Sequence, residues 1–123
     1  MPQPYVSLVL PTYNEGANLE GVLARVDAVL AGAGASYEII VVDDDSPDRT
    51  WELAERLARE RFTCLRVVRR VGERGLATAV VRGWEVAGGE ILAVMDADGQ
   101  HPEAVLLQLV ERIAAGADIA VAS

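Results

Sequence analysis

"YEIIVVDDDSPDRTWE" occupies residues 37–52, and its reading decides the fold. A mostly apolar run of strand length, Glu38 to Val42, meets three consecutive aspartates, Asp43 to Asp45. Ser46 followed by Pro47 then reads as a helix N-cap and first helical position, with Asp48 well placed in the first turn. Beyond them Trp51, Ala54, Leu57 and Ala58 recur on one helical face. The unit is a strand, an acidic turn and a helix.

Outward from this stretch the unit repeats. Strand-length apolar runs stand at Val6 to Leu10, Leu65 to Val68, Ile91 to Met95 and Ile119 to Ala122. Helical spacing joins Leu19, Val22, Leu23, Val26, Val29 and Leu30, then Leu76, Ala79, Val80, Gly83 and Ala87, then Val105, Leu106, Leu109, Val110 and Ile113. Gly32 and Gly116 stand where helices should stop. Strand and helix in strict alternation predict a parallel sheet with helices on both faces. The last strand finishes beside Ser123, where a sheet of this kind normally continues, so the expectation is a chain truncated after its fifth strand.

Composition sets outer limits. A chain of 123 residues, 51% hydrophobic and 24% charged, is one globular domain. Nineteen acids against eleven bases give a net charge of −8, which disfavours nucleic acid or an anionic membrane surface as a nonspecific partner. Cys64, the one cysteine, has no disulfide partner within the chain and reads as a small core residue. No apolar run is long enough to span a bilayer, and the N-terminus lacks a signal-peptide pattern, so a cytoplasmic location is expected.

Open parallel sheets bind ligands beyond the carboxyl ends of their strands. Three polar clusters fall there: "PTYNE" (11–15), "DDDSPD" (43–48) and "DADGQ" (96–100). Residues two apart in an extended segment point to one side, so Asp96, Asp98 and Gln100 can aim three oxygens at one point. Two carboxylates about 6 Å apart repel by roughly 3 kcal/mol at an effective dielectric near 20, which calls for a cation between them. An all-oxygen set of this size suits Mg²⁺ or Mn²⁺. The plainer alternative, Asp98 capping the next helix and Asp96 ending the strand, leaves that repulsion uncompensated. A helix-loop-helix calcium site is excluded by His101 and Leu107 at positions that need Gly and Glu.

The other two clusters suit a nucleoside. Tyr13 offers an aromatic face and hydroxyl, Glu15 a hydrogen-bond acceptor, and Asp43 or Asp44 the ribose acceptor common at a second strand end. Asp45 is expected to face water. Arg74 and Gly75, at the start of the third helix, are the expected phosphate neighbours, while Arg66, Arg69, Arg70 and Arg82 read as solvated surface. His101 reads as structural, before a helix-starting Pro102.

The stretches "LPTYNEGANLE", "YEIIVVDDDSPDRTWE", "RGLATAVVRG" and "GEILAVMDADGQHPE" resemble the family 2 glycosyltransferases of the GT-A fold, in particular the polyprenol- and dolichol-phosphate mannosyltransferases. The resemblance covers nearly the whole chain, departing at Gly99 and Glu103. It implies a Rossmann-like nucleotide-sugar-binding fold, with residues 1–123 forming the N-terminal, donor-binding part and the acceptor-binding part lying beyond. Asp96, Asp98 and Gln100 would hold the metal on the donor's diphosphate, with Asp96 and Asp98 catalytic in that sense. Pro11, Tyr13, Glu15, Val42 and Asp44 would line the nucleoside pocket, with Glu15 or Asp44 accepting the adjacent N–H donors of guanine. The implied reaction is inverting transfer of mannose from GDP-mannose to a polyprenyl phosphate at the cytoplasmic face of a membrane. A phosphate acceptor is already anionic near neutral pH, its second pKa being about 6, so no protein base is needed. Three alternatives stand beside this reading: a UDP-sugar donor or saccharide acceptor in the same family, a dehalogenase-type phosphatase, and a non-catalytic donor-binding fragment. The phosphatase needs its motif on the first strand with Ser or Thr after the glycine, and Gln100 stands there instead. The lack of G-x-G-x-x-G after the first strand speaks against an NAD dehydrogenase.

Overall fold

The computed structural model describes residues 5–32, 36–95, 108, 111 and 119–122. Its elements run β1 (Tyr5–Thr12), α1 (Gly16–Gly32), β2 (Ser36–Asp43), α2 (Thr50–Glu60), β3 (Leu65–Arg69), α3 (Leu76–Val86), β4 (Ile91–Met95) and β5 (Ile119–Ala122). The five strands form one sheet in the order β3-β2-β1-β4-β5, every neighbouring pair parallel. The doubly covered parallel sheet expected from the alternation is what forms. The expected fourth helix, including Gly116, lies outside the described residues apart from Gln108 and Glu111, which are helical and exposed.

Alternation along the strands explains why they read as unbroken apolar runs. Val6, Leu8 and Leu10 of β1 join Ile39 and Val41 of β2 in a core under α1 and α2. The intervening Val9, Ile40 and Val42 form a second core under α3 with Ala79 and Val94. Both faces are therefore dry, and each fully buried Val, Leu or Ile side chain contributes about 1.5–3 kcal/mol. Leu19, Val22, Leu23, Val26 and Leu30 are the buried residues of α1, as their spacing requires.

Two expectations about the helices are corrected. Ser46 and Pro47 do not open α2, which begins at Thr50 after Arg49 in the left-handed region (φ 60°). Ser46 is instead buried and spends its amide and hydroxyl on Asp43. Asp48 lies two residues before α2 and serves both helix starts. Its Oδ1 accepts the Thr50 amide at 2.9 Å and its Oδ2 the Gly16 amide of α1 at 3.1 Å. The Thr50 hydroxyl bond, followed by these amides against the opposing burial, holds the Asp48 carboxyl below its usual range. Leu76 is likewise not core: it is 61% exposed, while Ala79 and Gly83 are the buried residues of α3. Gly83 sits against the sheet so closely that an added Cβ would meet Val9 Cγ1 at 2.6 Å.

Candidate functional site

Register builds the site. Thr12 pairs with Asp43, and Asp43 pairs with Arg69, so β1, β2 and β3 end level. The ladder is extended by one rung, the Asp44 amide donating to Thr12 O (3.2 Å) and the Arg70 amide to Asp43 O (2.8 Å). Tyr13, Asp44 and Arg70 are thereby the first residues past the three strand ends. β4 ends at Met95, and Asp96, Asp98, Gly99, Gln100, His101 and Glu103 lie outside the described residues.

The two adjacent aspartates have different tasks. Asp43 is fully buried and accepts Thr12 Oγ1 at 2.6 Å, Ser46 Oγ at 2.7 Å and the Ser46 amide at 2.9 Å. That set ties the first two loops together and leaves Asp43 structural. Asn14 adds to the tie: it takes a left-handed backbone (φ 54°) and its amide donates to Ser46 Oγ at 2.8 Å.

Asp44 faces the other way, toward the start of α3. Arg70 grips it with both arms, Nε to Oδ1 at 2.7 Å and Nη2 to Oδ2 at 2.9 Å. The Gly75 amide also donates to Oδ2, at 3.2 Å. Arg70 goes on to bind Gly75 O (3.0 Å) and Thr78 Oγ1 (2.9 Å). Its side chain is only 2% exposed, which corrects the reading of Arg70 as solvated surface. Arg66, Arg69 and Arg82 are half-exposed as expected, though each is paired, with Glu38, Asp45 and Glu85. Asp45 lies at the surface on Arg69.

Two adjoining clefts open around Asp44 and Arg74. One of about 290 Å³ is lined by Pro11, Thr12, Tyr13, Asp44, Arg74, Gly75, Leu76 and Ala79. The other, about 350 Å³, is lined by Asp44, Asp45, Arg70, Gly72, Glu73 and Arg74. Tyr13 is 39% exposed, with the Arg74 guanidinium 4.9 Å from its ring centre, a cation–π pair at the cleft mouth. Gly75, at φ 118°, takes a backbone open to glycine but strained for other residues, and this turns the chain into α3 beside Asp44.

Of the expected nucleoside residues, Pro11, Tyr13 and Asp44 are brought together with Arg74 around one cleft. Glu15 is half-buried, lines neither described cleft and holds its amide on Thr50 Oγ1 at 3.1 Å. Val42 is fully buried in the core under α3 and lines neither described cleft. Among the described residues no group of three or more His, Cys, Asp or Glu could hold a metal ion. The residue that sequence reading missed is Arg70. Its signal was present, because the third strand also has a carboxyl end and "RR" stands at it.

A cleft at the carboxyl rim of an open parallel sheet stands where α/β proteins of this class bind their ligands. The comparisons narrow that class: the glycosyl transferase family 2 profile matches residues 7–123, and the chain belongs to this family. It is 51% identical over 118 residues to a dolichol-phosphate mannosyltransferase of Pyrococcus furiosus, a match covering 96% of this chain and 32% of that protein. It is 39% identical to an undecaprenyl-phosphate 4-deoxy-4-formamido-L-arabinose transferase of Pseudomonas paraeruginosa, covering 96% and 35%. A mannosyltransferase from Pyrobaculum calidifontis, solved in complex with GDP-Man and Mn²⁺, superposes with a TM-score of 0.65 at 30% identity. That match covers 80% of this chain and 30% of that one, and with it the Rossmann-like GT-A expectation holds. The chain thus spans about a third of the length of these relatives.

Proposed function

We propose that residues 1–123 form the donor-binding part of a metal-dependent, inverting glycosyltransferase that moves mannose from GDP-mannose to a polyprenyl phosphate. The observation that carries this is the level rim at which Tyr13, Asp44 and Arg74 share a cleft, in a chain 51% identical to a dolichol-phosphate mannosyltransferase. The acceptor class has the broader support, since dolichol-phosphate, undecaprenyl-phosphate and polyprenol transferases all stand among the relatives while their sugars differ. Such an acceptor would bring the reaction to a membrane, at its cytoplasmic face in this reading. No helix among the described residues is long and apolar enough to cross one, so the contact would run through the acceptor or other parts of the protein.

In this reading the nucleoside lies against Tyr13, with Asp44 accepting from base or ribose and Arg74 answering the diphosphate. Asp96, Asp98 and Gln100 would hold Mg²⁺ or Mn²⁺; the set is all oxygen, as a hard cation requires, and follows the β4 segment in sequence. A divalent ion there would neutralise charge on the departing diphosphate. The acceptor phosphate supplies the nucleophile, and no described residue is asked to act as a base.

A second reading keeps the fold and the acceptor and changes the donor to a UDP-sugar. It is favoured by one observation: Arg70 and Gly75 already occupy much of the Asp44 carboxylate, which a two-donor base such as guanine would need. Calorimetry with GDP-mannose and Mn²⁺ tests the main proposal. Asp98→Ala removes an oxygen proposed to touch the metal, so affinity should fall by more than the roughly 10- to 100-fold of indirect effects, and a chelator should reproduce the loss. Equal affinity for parent and variant would remove the metal from the account.

A further inference from the structure

The Arg70 side chain is among the most buried charged groups described, yet the reaction outlined above gives it no task. Its guanidinium has five N–H groups. Four are committed within the protein: Nε to Asp44 Oδ1, Nη2 to both Asp44 Oδ2 and Gly75 O, and Nη1 to Thr78 Oγ1. At 2% exposure Arg70 offers the larger cleft, which it lines, no more than one uncommitted N–H. Its main influence passes through Asp44.

The acceptor count on Asp44 shows what that influence is. Each carboxylate oxygen accepts about two hydrogen bonds. Oδ2 already takes two, from Arg70 Nη2 and the Gly75 amide, and Oδ1 takes one, from Arg70 Nε. Among the described residues no other donor reaches Asp44, which leaves one position, on Oδ1, and Asp44 lines both clefts. We propose that Arg70 is a positioning residue that limits Asp44 to one hydrogen-bond donor from the bound nucleotide.

This rests on the nucleotide-donor reading and deepens it. A base edge with a single N–H, or one ribose hydroxyl, is served fully by such a carboxylate. The paired N1–H and 2-amino donors of guanine are not. Guanine selectivity, where it exists, is therefore carried by other groups, and the expectation that Asp44 could select guanine through both donors is withdrawn. Arg70 also fixes the start of α3 to the same carboxylate, so the one free acceptor position is held still against the cleft wall.

The test compares GDP with inosine diphosphate, which lacks the 2-amino group, by calorimetry in Mn²⁺ on the 123-residue chain. Arg70→Lys and Arg70→Gln each release at least one Asp44 position. A second hydrogen bond to a charged oxygen is worth about tenfold in affinity or more, so the GDP preference over inosine diphosphate should rise at least threefold in either variant. A merely structural Arg70 lowers both affinities together with the melting temperature and leaves the ratio unchanged, and that result overturns the proposal. If neither variant folds, Asp44→Asn decides: a GDP preference over inosine diphosphate within threefold of the parent's supports a carboxylate that does not read the 2-amino group, and a larger loss of that preference overturns it. Absence of binding by either nucleotide removes the donor reading and this inference with it.

Discussion

The two ends of α3 rest on similar chemistry with different outcomes. At its start, on the carboxyl rim of the sheet, Arg70 grips Asp44 beside Gly75. At its finish, on the amino rim, Arg66 binds Glu38 (3.0 Å) and Val86 O (2.8 Å). Glu38 is 5% exposed and also takes Ser7 Oγ at 2.6 Å and the Gly88 amide at 2.8 Å. Burial pushes its carboxyl up, but those bonds together with Arg66 outweigh it and hold the group below its usual range. The amino-rim acid is enclosed by protein donors and lines neither described cleft. The carboxyl-rim acid keeps one acceptor position and faces two. An acid–arginine pair near a helix end is thus no mark of function by itself; what distinguishes Asp44 is the open side left where strands stop level and a glycine turns into the helix.

Between those ends α3 is seated by Gly83, and filling that contact should give the largest stability effect. Gly83→Ala brings a Cβ into Val9 and Val42, and such overpacking costs about 1–3 kcal/mol, read as a lower urea midpoint. If it proves neutral, α3 is free to shift and the two rims are not held as one unit.

Glu38→Gln sharpens the comparison from the amino rim. Removing the charge weakens the bonds from Arg66, Ser7 and Gly88, and a poorly satisfied buried group costs about 1–3 kcal/mol. The sign with pH follows from the lowered carboxyl. Its contribution is complete above the unfolded value of about 4.3 and is lost as pH falls through the folded value. Urea melts between pH 7 and pH 3 should show the parent losing part of its stability below about pH 4, with a flatter profile in the variant. Parallel profiles would mean that Glu38 is not the titrating group.

The smallest effect belongs to α1, which touches neither rim's acid pair. Gly21 lies within that helix, and a Cβ there meets nothing within 4 Å. Gly21→Ala should therefore stabilise by about 0.5–1 kcal/mol through helix propensity alone, raising the urea midpoint. A loss would show that α1 packs more tightly than its contacts indicate.

How much of this was legible in the sequence follows the range of the forces involved. The strands and the buried faces of α1 and α2 were readable because period-2 and period-3.6 burial is written locally. That Tyr13 and Asp44 would meet at one edge was readable from the rule that ligands gather at strand ends, and Arg74 from the start of the third helix. The start of α2 was misread because Ser46 and Asp48 answer groups 30 or more residues away, at Asn14 and Gly16, which local capping patterns do not encode. Arg70 was missed for a related reason: an exposed and a buried arginine look alike until strand register sets one beside a carboxylate.

The central claim is that the carboxyl rim holds the donor and the amino rim only holds the helix. Calorimetric GDP affinity in Mn²⁺, measured side by side for Asp44→Asn and Glu38→Gln, tests it most directly. The account predicts that Glu38→Gln, although less stable, binds within about twofold of the parent, while Asp44→Asn, losing a charged acceptor, binds roughly tenfold more weakly or worse. Equal losses in the two variants, or an unchanged affinity in Asp44→Asn, would contradict it.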